Sequence, residues 1–406
     1  MAVFVYTAKT PDGKKIDSVI RAADKGAAQA ELKKKNLSVT SISEQRGGRK
    51  IGLFGPPRPH VKTKDIAVMT RQLSTMISAG IPLLESLEIL HEQASDLGFK
   101  NVLDKIIERV RAGSDFSTAL SEHPKLFTKI FVNMIKAGEA SGQLDVILQR
   151  LADFMEAMEE LKREIKAAMT YPIISLVLIL SITVGLVVGI VPKFKEIFDS
   201  MNMKSLPAPT EILMLISTIL TKHFWEALIV CIVLVVAFIF YIKTKTGTRH
   251  WHWFLLHVPV FGPLFRKVAI SRFSRTFATL IQSGVPMLGA LDIVAATSGN
   301  VLVEEAVLKA KDAVSKGETL GDPLTATRVF PPMVTRMISI GEKTGALEKL
   351  LMKIAEFYDQ EVRATVKALT SLIEPLLIAT MGFIVGFIVL SIFLPIIALQ
   401  QQLGKT

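Results

Sequence analysis

The sequence predicts a mainly α-helical, polytopic membrane protein with two duplicated cytoplasmic helical-bundle domains, three transmembrane helices and a small N-terminal α+β mini-domain. Three observations predict this fold class. A segment at 71–90 recurs at 275–294, three long apolar runs interrupt charged sequence, and the polar stretches have helical periodicity. Half of the residues are hydrophobic while 21% are charged, so the two kinds of residue must lie in different stretches.

The N-terminal stretch differs from the rest in its pattern. In residues 1–45, VFVYTA and LSVTSIS alternate like strands, PDGKK is a turn and DKGAAQAELKKK is helical, which predicts a β-α-β-like mini-domain. Residues 46–60 are basic and rich in Gly and Pro, which is typical of a linker. No apolar core of signal-peptide length opens the sequence, so we expect the internal spans to insert the protein.

The internal repeat carries two motifs. RQLSTMISAGIPLLESLEIL returns as RTFATLIQSGVPMLGALDIV about 204 residues later, and AGEASGQLD returns as IGEKTGALE. The motif positions shared by the two copies are Arg71, Gly80, Pro82, Gly138, Glu139 and Gly142 in the first and Arg275, Gly284, Pro286, Gly341, Glu342 and Gly345 in the second. Because Gly ends helices and Pro suits their first turn, we interpret these residues as architectural.

Each copy of the repeat leads into an apolar run. The stretch from Leu144 through the first run is near-continuous helix of about 48 residues, roughly 70 Å long, which is enough to cross the bilayer and still project into the cytoplasm. The predicted order is bundle 1 at 61–169, a span at 170–192, an outer (periplasmic) loop at 193–222, a span at 223–242, bundle 2 at 243–370, a span at 371–399 and a short outer tail at 400–406. Segment 211–221 lies at the outer surface or extends the second span.

Charge orients this topology. The net charge is +11, and residues 243–291 contain seven Lys and Arg without an acid, whereas the loop 193–226 balances its charges. By the positive-inside rule the basic stretch, both bundles and the N-terminus are cytoplasmic. The membrane topology therefore explains the excess of Lys and Arg over Asp and Glu, and we expect no nucleic-acid partner.

The sequence argues against an enzyme. GEKTG at 341–345 lacks the order of a phosphate-binding loop, so we expect no NTPase activity, no cofactor and no catalytic residue. His250, His252 and His257 are open to two interpretations, a zinc site or an interfacial anchor with the neighbouring tryptophans, and the composition favours the anchor. The lone cysteine, Cys231, lies in an apolar run as a small hydrophobic residue.

Carboxylates beside the turns and spans have alternative roles. One alternative is a site for a cation such as Ca²⁺, formed by Glu85, Glu139 and Gln143 if their turns meet. The other is that the carboxylates accept hydrogen bonds from free N–H groups at helix starts. Glu374, at the head of the third span, is either hydrated at the cytoplasmic interface or pairs with an amine on a partner helix. Two pairs of span glycines with small-xxx-small spacing indicate close packing of spans on each other or across protomers: Gly185 with Gly189, and Gly382 with Gly386.

The doubled motifs and the N-terminal YTAKTPDGK resemble the inner-membrane platform protein of type IV pilus and type II secretion systems, with the pilus branch favoured. The resemblance covers essentially the whole chain. It implies a non-enzymatic, homo-oligomeric protein (dimer or higher) of the bacterial inner membrane. The partners it implies are a cytoplasmic hexameric ATPase, pilin transmembrane helices, inner-membrane alignment proteins and the lipid bilayer.

Some alternatives stay open at this point. Arg71 and Arg275 contact the ATPase if they are not architectural. A transporter built from parallel repeats would need polar groups at mid-bilayer, of which the three spans offer little. A membrane receptor or scaffold without a motor partner is the other alternative.

Overall fold

The computed structural model of the chain describes residues 2–9, 15–22, 38–45, 59, 61–200 and 207–403. The chain divides into two compact units. Met1–His60 with Ala94–Val102 form the first, and Val61–Gln93 with Leu103–Thr406 form the second.

The first unit contains a three-stranded antiparallel sheet with the order β2-β1-β3, where β1 is Ala2–Lys9, β2 is Lys15–Ala22 and β3 is Ser38–Gln45. The sequence predicts β1 and β3 but not β2. In KIDSVIRA the apolar residues do not alternate strictly, so pairing with β1 is what defines this strand. The helix predicted at DKGAAQAELKKK and most of the linker 46–60 lie outside the described residues.

The second unit contains the duplicated helical domain except for residues 97–102, and the helices correspond one to one between the copies. The first copy comprises α1 (Thr63–Ser78), α2 (Leu83–Gln93), α3 (Leu97–Arg111), α4 (Phe116–Ser121), α5 (Lys129–Ser141) and α6 (Leu144–Gly189). The second copy comprises α11 (Gly262–Gln282), α12 (Met287–Thr297), α13 (Val301–Ser315), α14 (Gly321–Ala326), α15 (Pro332–Thr344) and α16 (Leu347–Leu403). The prediction of a repeated helical bundle is confirmed.

Aromatic and aliphatic side chains fill the two bundles. The largest fully buried side chains include Phe116, Phe127 and Phe131 in the first copy and Phe273 and Phe277 in the second. Burial of each such side chain contributes about 1.5–3 kcal/mol to folding. The bundles therefore have cores of their own, independent of the membrane.

Three helices of the described chain are long and apolar enough to cross a membrane, as predicted. The first is the helix Leu144–Ile197, which includes α6 and most of α7 (Val191–Ser200). The second is α9 (Phe224–Lys243), and the third is the helix Leu347–Ile397 within α16. The first and third are continuous with the bundles. At 46 residues α6 is roughly 70 Å long, and α16, with 57 residues, is roughly 85 Å.

Helix α10 (Lys245–His257) and α11 pass the same test only if taken together as one broken span, and they are bent by 108°. We assign α11 to the second bundle because it packs along α16 and contains four cationic side chains. These are Arg266, Lys267, Arg272 and Arg275. Four cationic side chains on one helix would be energetically unfavourable inside a bilayer.

Segment 211–221 lies in a helix of its own, α8 (Ala208–Lys222), which ends before α9 begins. One side of α8 packs between α6 and α16, where Leu213 and Met214 join a buried cluster with Val187 and Ile388. The Thr210 hydroxyl donates a hydrogen bond to the carbonyl of Ser391 (2.6 Å), far along the third span. Helix α8 thus packs against the ends of the first and third spans, and its place relative to the membrane surface stays a prediction.

Candidate functional site: the junction of bundles and spans

An arginine of the repeat motif joins the first helix of each bundle to the long helix. In the second copy, the Arg275 guanidinium donates to the Asp359 carboxylate on α16, to which the Ser271 hydroxyl also donates. Both members of the ion pair are largely buried, with side chains 13% and 15% exposed. Such a buried ion pair fixes the position of α11 on α16, because burying either charge without its partner would be strongly unfavourable.

The first copy has the same ion pair in a more exposed form. Arg71 donates to Glu156 (2.7 and 2.6 Å) and to Asp153 (2.5 Å) on α6. The hydrogen bonds from Arg71 lower the pKa of Glu156 below its ordinary value. The side chain of Arg71 is 29% exposed and those of Asp153 and Glu156 are 59% and 48% exposed.

The acidic partners of these arginines were missed in the sequence. Glu156 and Asp359 stand at the same position of the two repeats, about 203 residues apart, so the repeat itself contained the signal. The structure uses Arg71 and Arg275 for contacts inside the chain. This favours the architectural interpretation of both arginines over a role in docking a partner.

The glutamate of the second motif accepts hydrogen bonds from backbone N–H groups at a short helix. Glu139 accepts from Phe116 (2.5 Å) and Ser117 (3.2 Å) at the start of α4, and Glu342 accepts from Leu320 (2.8 Å) beside α14. These bonds satisfy donors that a helix start leaves free. The geometry favours capping over the cation site considered for Glu85, Glu139 and Gln143. Among the described residues no cluster of His, Cys, Asp and Glu could hold a metal ion.

The three histidines of α10 each have a different partner. His250 bonds to the Tyr241 hydroxyl (2.9 Å), His252 accepts from the backbone N–H of Val301 (2.9 Å), and His257 bonds to the carbonyl of Trp253 (2.8 Å). Burial lowers the pKa of His252, which keeps its ring neutral and able to accept this bond. These contacts favour the interpretation of α10 as an anchoring helix, since the rings of Trp251 and of Phe238 on the second span also lie 5.5 Å apart.

The motif glycines end helices at the turns. Gly142 and Gly345 cap α5 and α15 with φ of 68° and 67°, which a residue with a side chain adopts only at a cost. Gly80 and Gly284 have positive φ at the other turn. Pro82 and Pro286 follow there, immediately before α2 and α12.

Gly138 and Gly341 are needed for a different reason, the close approach of the long helix. A Cβ atom at Gly138 would lie 3.1 Å from the Ile147 side chain, and one at Gly341 would lie 2.8 Å from Cα of Leu347. The second contact is with backbone, which cannot rotate away. The glycine therefore lets α15 and α16 meet at their turn.

We predict that Gly341→Ala destabilises the second bundle by about 1–3 kcal/mol, the usual cost of overpacking. Gly138→Ala is the matched variant and should cost less, because its new Cβ atom would lie 3.1 Å rather than 2.8 Å from the nearest atom. Denaturant unfolding of the two full-length variants in detergent measures both. Equal losses of stability would show that contact with the α16 backbone does not explain the need for glycine.

The two repeats are joined where their long helices leave the bundles. Arg363 of α16 donates to Glu160 of α6 (3.2 Å), and its Nε lies 2.8 Å from Oε2 of Glu164. Arg363 and Glu160 are 203 residues apart and occupy the same position of the two repeats. Leu161 packs in a buried cluster with Val362 just beside this ion pair. The two long helices are thus attached to each other before they continue into the apolar spans.

A second contact between the repeats lies deeper in the bundles. Arg150 of α6 donates to the carbonyl of Gln282, the last residue of α11. Because Arg150 is near the start of α6 and Arg363 is at the approach to the membrane, the repeats are held at two levels.

The remaining candidate residues lie on the spans. A Cβ atom at Gly185, Gly189, Gly382 or Gly386 would meet nothing within 4 Å. No other helix of the described chain therefore lies against these glycines. Small-xxx-small spacing defines a face and not its partner. Packing across protomers stays a prediction. Glu374 is exposed and forms no ion pair with the described residues, so its contact with a partner helix also stays a prediction.

Comparison with known proteins matches the same repeated segments. A family model described as type II secretion system protein F matches residues 69–192 and again 273–395, and the model of that protein's N-terminal domain matches residues 1–43. Each repeated match contains one bundle and the span that follows it. The repeat found in the sequence is therefore the repeat of this family.

Individual relatives resemble the chain over almost all of its length. It is 40% identical to the type IV pilus assembly protein PilC of Myxococcus xanthus, with 98% of this chain and 95% of that protein aligned. It is 41% identical to PilC of Thermus thermophilus, with 98% of each aligned. It is 30% identical to type II secretion system protein F of Vibrio cholerae over the whole of both proteins.

Proposed function

Because the chain belongs to the type II secretion system protein F family, we propose that it is the inner-membrane platform of a type IV pilus assembly machine. In this role it couples a cytoplasmic hexameric ATPase to the extraction of pilin from the membrane and its insertion into the growing pilus. The higher identity to the PilC proteins than to the secretion protein supports the pilus branch.

The observation that carries the coupling role is the continuity of α6 and α16. Each runs without a break from a bundle into a span, and the two are joined through Glu160 and Arg363 before they reach the membrane. A helix transmits displacement along its axis because every turn is hydrogen-bonded to the next. Since the sequence contains no phosphate-binding loop, the energy would come from the ATPase.

We propose further that the protein lies in the bacterial inner membrane with its N-terminus and both bundles in the cytoplasm. The ATPase and the inner-membrane alignment proteins would contact its cytoplasmic side, and pilin helices would meet the exposed faces of the spans. The apolar side chains of α9 are all outside the protein interior, which suits contact with lipid or with helices of other chains. Homo-oligomers would place several such faces around one fibre base.

The second candidate is the equivalent platform of a type II secretion system. Full-length alignment with the Vibrio cholerae protein supports it, and the same geometry would then push a pseudopilus. In this alternative the fibre would be a pseudopilus instead of a pilus, and the long helices would have the same role.

Deletion of the gene tests these alternatives. We expect cells without the protein to lose surface pili while pilin accumulates in the inner membrane and the ATPase stays at its normal level. Electron microscopy and fractionation measure the three quantities. Normal piliation would contradict the pilus role, and retention of exported proteins in the periplasm would identify the secretion role instead.

A further inference from the structure

A cavity of about 560 Å³ lies in the corner between α10 and α11. The polar side chains that line it are His257, Arg266, Lys267 and Tyr358, and no carboxylate is among its described lining residues. Because Glu361 pairs with Lys267, the positive charge of the cavity is that of Arg266. No role described above uses it.

Arg266 is the cation in this cavity that lacks a partner. Its Nε is buried and has no hydrogen-bond partner among the described residues, which is unfavourable for a charged donor. Lys267 differs, because it donates to Glu361 and to the Thr365 hydroxyl, both at 2.8 Å. A ligand with anionic oxygens would supply what Arg266 lacks.

Tyr358 adds a neutral donor on the α16 side. Its side chain is buried, and burial raises the pKa of the hydroxyl above its ordinary value. It therefore remains protonated at physiological pH and able to donate. No hydrogen bond links this hydroxyl to any other residue in the part of the chain that the structure describes.

The position of the cavity follows from the directions of three helices. As α11 advances its contacts move back along α16, from Lys267 with Glu361 to Arg275 with Met352, so the two helices are antiparallel. Helix α16 continues into the third span. Because α10 is bent by 108° from α11, it runs nearly across the direction of the spans. It also directly follows the second span, so in the topology proposed above it lies along the cytoplasmic surface of the membrane.

Apolar side chains surround the opening of the cavity. Trp253 is 54% exposed and Phe254 52% exposed on α10, and Val260 is 52% exposed in the turn to α11. Val260 has a φ of 76°, and the N–H of Phe261 donates to the carbonyl of Pro259 (3.0 Å) across it. This three-residue turn is rare and strained for a β-branched residue. An apolar residue is thus held exposed beside a cationic cavity.

We propose that this cavity binds the phosphate group of an anionic phospholipid from the cytoplasmic leaflet. Arg266 and Tyr358 donate to the phosphate oxygens, and the exposed aromatic side chains of α10 contact the acyl chains. Cationic pockets with an apolar border at this face of a membrane suit acidic lipid headgroups. The bound lipid fixes the corner between the second span and the second bundle.

The test uses the full-length protein in phosphatidylcholine nanodiscs that contain a minor fraction of phosphatidylglycerol. Native mass spectrometry counts the phosphatidylglycerol molecules retained by each protein. We expect Arg266→Gln to lower retention at least about tenfold, the effect of one lost charge-assisted contact. Lys245→Gln is the matched control, because Lys245 is exposed at the start of α10 and does not line the cavity, and it should retain lipid like the wild type.

A second variant and a second ligand make the result specific. Tyr358→Phe removes a single hydroxyl and should also reduce retention, which keeps the test valid if Arg266→Gln disturbs packing. Inorganic phosphate added at millimolar concentration should not displace the lipid. The proposal is overturned if both cavity variants retain lipid like the wild type, if Lys245→Gln loses as much as Arg266→Gln, or if free phosphate alone occupies the cavity.

Discussion

Replacing Arg275 with alanine should destabilise the second bundle by about 3 kcal/mol, the lower end for breaking a buried ion pair. The variant leaves Asp359, whose side chain is only 15% exposed, without its cationic partner. Arg71→Ala is the matched change in the first repeat. It should cost about 1 kcal/mol or less, because Asp153 and Glu156 are half exposed and water replaces the lost partner.

Hydrogen exchange of the full-length protein in detergent measures both effects locally. For Arg275→Ala we expect the amides of α11 to exchange roughly 100-fold faster, whereas in Arg71→Ala those of α1 should change by less than about tenfold. The double variant Arg275→Met with Asp359→Met removes both charges and should restore most of the protection. Equal exchange rates in the two single variants would contradict the claim that burial separates the two ion pairs.

Replacing Lys166 with proline should abolish fibre assembly while leaving the protein in the membrane. Lys166 is exposed on α6, between the contact of Glu160 with Arg363 and the start of the first span. Proline there removes a helix hydrogen bond and clashes with the preceding turn, at a local cost of about 3 kcal/mol. The native Pro172 already lacks a backbone N–H donor about one and a half turns further on, so a second proline would leave the connection between bundle and span without two hydrogen bonds within two turns.

Counting surface fibres and measuring the protein in membrane fractions distinguishes coupling from folding. Lys166→Ala is the control, and it should behave like the wild type because an exposed helix position tolerates alanine. Fibres at wild-type numbers in the proline variant would show that an unbroken α6 is not required. Loss of the variant from the membrane would show that the residue is needed for insertion.

Features of the structure that depend on local chemistry could be predicted from the sequence. The spans follow from uninterrupted apolar runs, and the turns at Gly142 and Gly345 follow from a backbone conformation that glycine adopts at low cost. The capping role of Glu139 was one of two alternatives. The sequence could not decide between them, because the N–H groups of Phe116 and Ser117 come from a different helix.

Features that depend on which helices meet could not be predicted. Asp359 is one of many acids on α16, and only the packing of α11 identifies it as the partner of Arg275. The contact of Arg363 with Glu160 likewise requires the relative position of the two repeats. The spacing of the span glycines indicates a helix contact, but the single chain places no helix against them, so the sequence could not identify the partner.

The measurement that tests the account most directly is the side of the membrane on which each bundle lies. In a chain carrying Cys231→Ser, single cysteines would be introduced by Glu108→Cys and Asp312→Cys in the two bundles and by Glu196→Cys on α7 after the first span, all at exposed positions. A membrane-impermeant thiol reagent added to intact spheroplasts should label only the Glu196→Cys chain, and disrupting the membrane should expose the other two. Labelling of one bundle but not the other before disruption would contradict the shared compartment, and with it the joint action of α6 and α16.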